Sequence, residues 1–145
     1  MKTLVRIACL AVLAMVFAAC SGGGNEVDVS LSEWQVDPSP ATASSGDVTF
    51  KVTNDGGEQH EMLIVKDVAP GDLPTDADGH VVEDDIPDGA LIGEVSEFDA
   101  GTTETQTFNL EPGTYTIFCN ILETDAGVTE SHFQKGMVNT ITVTG

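Results

Sequence analysis

Pro112-Gly113-Thr114-Tyr115-Thr116-Ile117-Phe118-Cys119-Asn120 decides how the rest of the chain is read. A Pro-Gly turn opens the stretch, and the residues after it are mostly β-branched or aromatic, which is the composition of a strand. A loop follows, then Ser131-His132-Phe133-Gln134-Lys135-Gly136-Met137, and Met137 to Thr144 forms a further β-rich run. Working upstream, Glu104 to Leu110 is another such run. Val48, Phe50 and Val52 alternate with Thr49 and Lys51, and Val27, Val29 and Leu31 alternate with Asp28 and Ser30. This is period two, and no helical period of useful length competes with it. His60 to Lys66 contains Met62-Leu63-Ile64-Val65, apolar on both faces, as a strand buried on two sides would be. Turns at Asp55-Gly56-Gly57, Ala69-Pro70-Gly71, Ala100-Gly101 and Glu111-Pro112-Gly113 separate the runs. About seven to eight short strands so spaced predict an all-β fold, an antiparallel β-sandwich over residues 26–145. Val68 to Pro87 reads as a long acidic loop containing a short hairpin or a helical turn.

The chain has 145 residues, the size of one domain, with 5 Lys plus Arg against 24 Asp plus Glu, a formal net charge of −19. Such a surface repels nucleic acid and anionic lipid headgroups, so neither is expected as a partner. A 20% charged and 41% hydrophobic composition also excludes disorder driven by charge.

The N-terminus reads as an export signal. Lys2 and Arg6 precede an apolar run from Ile7 to Phe17, too short to span a bilayer, which needs roughly 20 residues. Ala18-Ala19-Cys20 and Ser21-Gly22-Gly23-Gly24 follow, and together they resemble a bacterial lipoprotein signal (1–19) with lipidation at Cys20 and a flexible tether over 20–25. An uncleaved N-terminal anchor is the other reading. Both place the domain outside the cytoplasm, bound to the cell membrane only through its N-terminus. Cleavage removes Lys2, Arg6 and no acid, so the charge moves from −19 to −21, and Cys119 becomes the one free thiol. An unpaired Cys in an oxidising compartment is a liability unless it is buried or used.

Cys119, His132 and Met137 flank one loop, and His60 opens the doubly buried strand some sixty residues earlier. One thiolate, two imidazoles and a thioether form a soft donor set, the His₂Cys arrangement with a long axial Met that a type 1 copper site uses. All four residues are expected at one pole of the sandwich. A calcium loop at Asp76-Ala77-Asp78-Gly79-His80 is rejected: with Gly79 at the invariant glycine, Pro74 falls first and Asp85 last. His80 then reads as a solvated loop residue.

With Pro112-Gly113-Thr114-Tyr115 before the Cys strand, Cys119…His132-x₄-Met137, Gly136 before the Met, and Gly46-x-Val48-x-Phe50-x-Val52-x-Asn54 before His60, the chain resembles the cupredoxins, the plastocyanin and azurin family. The resemblance covers roughly residues 26–145. It implies a Greek-key sandwich with one copper ion, His60, Cys119 and His132 as strong equatorial ligands, and Met137 as the weak axial one. It also implies that electrons pass through an exposed edge of His132, which is then the only ligand expected to meet solvent. Two features differ from the family pattern. Twelve residues, Asn120 to Ser131, separate Cys119 from His132, and are expected to cover or extend the copper-end surface. Glu61 follows the first His where many members have an Asn that bonds across to the Cys loop, leaving Asn54 and Asn120 as candidates for that supporting role.

The resulting expectation is a monomeric, lipid-anchored, non-enzymatic carrier of single electrons between membrane-associated redox proteins that present a basic docking face. A copper carrier or storage protein is the alternative, although the processed chain retains only Met62 and Met137 for a Met-rich site. A Cys119–His132 nucleophile pair is a third reading. Zinc in the same donors is the expected product of mismetallation. The two-copper variant of the fold needs a second Cys in the ligand loop, and there is none.

Overall fold

A computed structural model describes residues 25–145. The export signal, Cys20 and all of the tether but Asn25 lie outside the described residues. The alternating segments become β1 (Glu26–Ser32) and β4 (Gly46–Asn54), and the doubly apolar run becomes β5 (His60–Lys66). The later runs become β7 (Thr103–Leu110), β8 (Gly113–Phe118) and β11 (Val138–Thr144). The remaining strands are β2 (Gln35–Ser39), β3 (Thr42–Ser44), β6 (Leu91–Phe98), and a small hairpin of β9 (Leu122–Asp125) and β10 (Val128–Ser131). One helical turn, α1 (His132–Lys135), precedes β11.

Two sheets face each other, ordered β2-β1-β4-β7 and β3-β11-β8-β5-β6, with β9-β10 apart from both. The sandwich is therefore as expected, with eleven strands rather than seven or eight, and its pairing is mixed. β1 runs parallel to β4, and β3 parallel to β11. The reason lies in the Pro38-Ser39-Pro40 segment: a proline donates no ladder hydrogen bond and is tolerated only at sheet edges. There the chain leaves the edge of one sheet as β2 and joins the edge of the other as β3, so its return strands meet earlier ones head to head.

β5 shows why its run is apolar throughout. Met62 and Ile64 face the shared core with Val29, Val52, Phe50 and Ile117, all essentially unexposed. Leu63 and Val65 face outward against Phe118, Leu73, Val81 and Ile86. The second group belongs to the acidic loop, which folds as two single 3₁₀ turns, Pro70–Asp72 and Glu83–Asp85, with one bridge between Thr75 and Val81. Burying each such side chain contributes about 1.5–3 kcal/mol, so three apolar residues are enough to fasten this loop over the sheet. Asp76 Oδ1 accepts from the N–H groups of Asp78 and His80, both at 3.0 Å, which makes the segment a polar turn. His80 is half-buried there rather than fully solvated.

Candidate metal centre

Cys119 comes one residue after β8 ends, where the strand reaches the pole of the sandwich. Its N–H donates to the Met137 carbonyl (3.0 Å), the Met137 N–H donates to the His132 carbonyl (3.0 Å), and the His132 N–H donates to the Ile121 carbonyl (3.0 Å). The three ligand candidates of this loop are thus stitched together through backbone atoms. Ser131 caps α1 by accepting from Gln134 N–H, and its own hydroxyl donates to Gly79 O at 2.7 Å. Gly136 ends the turn at φ +118°, a left-handed conformation that favours glycine. His60 arrives from the start of β5, beside β8 in the same sheet.

The donor atoms converge. Nδ1 of His60 and Nδ1 of His132 are 3.2 Å apart, and Cys119 Sγ lies 3.9 Å and 3.4 Å from them. A point equidistant from the corners of that triangle is about 2.0 Å from each donor, the length of a bond from a transition metal to nitrogen. His60, Cys119 and His132 are all fully buried. Met137 is fully buried as well, in the same apolar cluster as Cys119. The residue types, the triangle and the exclusion of water fit a single copper ion.

The protonation states fit too. Burial holds both imidazoles below their ordinary pKa, leaving neutral rings with lone pairs to donate. Burial pushes the Cys119 thiol up to about 11, while the backbone N–H groups of Glu61 and Ile121 pull the other way by favouring the thiolate. A bound cation overrides the burial effect, because a coordinating thiol is deprotonated outright.

Asn54 and Asn120 brace the segments that carry the ligand candidates rather than the donor atoms themselves. The Asn54 side chain bonds to Glu58 O (2.8 Å) and Phe98 O (3.3 Å) and accepts from Gly56 N–H (3.0 Å), so it holds the turn before His60. Asn120 pairs with both backbone groups of Val81, at 2.8 Å and 3.0 Å, and ties the ligand loop to the acidic loop. Neither side chain is placed on a ligand atom. Glu61 lies across from the Cys loop, where its carboxylate faces the Asn120 N–H, and burial beside Glu94 raises its pKa to about 7.

The expectation of an exposed His132 is overturned: its side chain is 0% exposed. The twelve residues between Cys119 and His132 supply part of the cover. They fold as the β9–β10 hairpin and lay Glu123 beside His132, with Nε2 to Oε2 at 3.9 Å. Glu58 comes from the other side at 3.6 Å, and Glu33 stands 3.2 Å from His60 Nε2. None of the three is aligned for a hydrogen bond, so both Nε2 atoms and Glu58 Oε2 are buried without partners. Desolvation and the neighbouring Glu123 raise the Glu58 pKa. Trp34 completes the cover, its ring edge-on to His132 with centroids 5.2 Å apart. No local pattern marks Glu33, Glu58, Glu123 or Trp34 as neighbours of the histidines, since they reach the site from three separate segments; Glu58 lies in the loop before His60 and Glu123 in the stretch between Cys119 and His132.

No family model matches the sequence, and no curated protein matches it either. Solved structures do. Dithionite-reduced auracyanin from the photosynthetic bacterium Roseiflexus castenholzii superposes with a TM-score of 0.60 at 21% identity, over 86% of this chain and 100% of that one. An azurin from the obligate methylotroph Methylomonas sp. strain J gives 0.53 at 19%, over 83% and 98%. Auracyanin A, a "blue" copper protein from Chloroflexus aurantiacus, gives 0.50 at 20%, over 81% and 98%. At such identities the likeness is one of fold, and this chain has the fold of these auracyanins and this azurin.

Proposed function

We propose that this protein is a type 1 copper protein that carries single electrons between membrane-associated redox partners. The triangle of two Nδ1 atoms and one thiol, sealed from water and sized for a metal ion, carries the reading. His60, Cys119 and His132 would hold the ion, with the Met137 thioether as the weak fourth ligand. A copper ion bound there supplies a one-electron couple between Cu(II) and Cu(I).

The chain's own residues make that couple usable. The thiolate suits the higher oxidation state and the thioether the lower one, while the backbone stitching of the ligand loop keeps the donors in place in both. Burial of all four side chains leaves no position for substrate and slows loss of the ion, which supports electron carriage over enzymatic turnover or copper delivery. Met62 and Met137, the only methionines among the described residues, are both buried, so no exposed methionine is available to hand copper on.

Location and partners follow from the sequence. A lipid on Cys20 would hold the domain at the outer side of the cell membrane, and the acidic surface favours a partner with a basic face, with steering that weakens as salt rises. The test is direct: purified domain, Cu(II), and visible and EPR spectra. An intense blue thiolate charge-transfer band that Cys119→Ser abolishes is the expected result; a colourless product rejects the reading.

A further inference from the structure

We propose that Trp34 is the residue through which an electron passes between the metal centre and the protein surface. The proposal rests on the one-electron function above and names its exit. His132 meets no solvent, so its own edge cannot touch a partner. Glu33, Glu58 and Glu123 stand beside the Nε2 atoms of the two imidazoles, and the Trp34 indole stands beside His132. The carboxylates stand at 3.2–3.9 Å without a bonding geometry, and a saturated Glu stem is a poor conductor. The indole is a conjugated ring set edge-on to His132, centroids 5.2 Å apart at 73°, and it is half-buried, so part of it lies on the surface. Electronic coupling falls steeply with distance, and this ring spans the covered layer in one step.

The surroundings hold it in that role. A Cβ on Gly136 would come within 3.3 Å of the Trp34 carbonyl, so a larger residue at 136 would press Trp34 away from its place. Lys135, bonded to Glu130 at 2.6 Å, puts its ammonium 5.2 Å from the ring centroid, a cation–π contact that fixes the indole. Trp34 also borders a shallow depression with Val36, Gly136 and Asn139, where a partner's own group can approach. A copper ion held by His60, Cys119 and His132 would supply the electron, passing from Cu(I) to Cu(II) as the acceptor gains one electron by way of Trp34. No bond is made or broken, no proton moves, and the indole ends unchanged.

Trp34 is the only tryptophan in the chain, so its emission reports on this contact alone. Cu(II) bound to the wild-type domain is expected to quench that emission strongly, while Zn(II) in the same donors leaves most of it. The rate test uses tris(phenanthroline)cobalt(III), a one-electron oxidant, on the Cu(I) protein at high ionic strength, which screens the acidic surface. Trp34→Leu is expected to slow oxidation about tenfold and Trp34→Phe by less than about threefold, with the blue band retained in both and the rates compared at equal driving force. Oxidation of the Leu variant at the wild-type rate overturns the proposal, and so does emission indifferent to Cu(II). The emission measurement decides alone should the Leu variant fail to fold. A wild-type domain that takes no blue colour would instead overturn the function proposed above.

Discussion

Two acidic excursions leave the sandwich, and they are held in opposite ways. The segment 68–87 carries six acids, yet Leu73, Val81 and Ile86 pin it to the outer face of β5 and β8. The hairpin 122–131 carries three acids and has no such pins: Leu122 is 36% and Val128 61% exposed. Its inward-facing group is Glu123, a carboxylate beside His132. One excursion is a piece of core that happens to be charged outside. The other is a cover over the site, attached at its two ends, and similar acidity conceals that difference.

The contrast is easiest to break by truncation. Ile86→Ala should cost about 2–4 kcal/mol in chemical denaturation while leaving any copper spectrum unchanged, whereas Val128→Ala should fall within about 0.5 kcal/mol of wild type. Equal costs would mean that the two segments are fastened alike.

Acid should act at the site end next. His60 and His132 have depressed folded pKa values, so the stability they contribute is present above 6.5 and is lost as pH falls below it. Glu61, raised to about 7 from an ordinary 4.5, works the other way, because the folded state holds its proton more tightly in that range; Glu58 adds to this at the lower end. The two histidines outnumber Glu61, so the metal-free domain should lose stability as pH falls below 6.5. Melting curves of apo protein check this, and Glu61→Gln should steepen the loss. A flat profile would remove the histidines from the account.

Replacing 122–130 by two glycines should uncover His132 and speed electron exchange with a small oxidant several-fold, with stability changed by less than about 1 kcal/mol. A rate that stays the same would mean that the hairpin does not limit access. The smallest effect belongs to the charges. Glu123→Gln or Glu58→Gln removes a negative neighbour that favours Cu(II) over Cu(I), so the reduction potential should rise by a fraction of the 59 mV that a tenfold ratio represents for one electron. Voltammetry reads that shift, and a fall in potential would contradict it.

Much of this was legible beforehand, for stated reasons. His60, Cys119 and His132 were identifiable because ligand chemistry restricts the residue types and because strand alternation placed all three near strand ends. β6 was not, since Gly93, Glu94, Ser96 and Glu97 interrupt any alternation, and it forms by pairing with β5. β2 and β3 are too short and proline-broken to show a period. The burial of His132 was misjudged because cover is a long-range property: Glu33, Glu58 and Trp34 have no local pattern that aims them at a ring seventy or more residues away.

The chain of backbone bonds from Cys119 through Met137 and His132 to Ile121 is made entirely of peptide groups. Side-chain substitutions in that loop therefore leave its path unchanged, and Cys119, His132 and Met137 can each be exchanged for another residue without unfastening the other two.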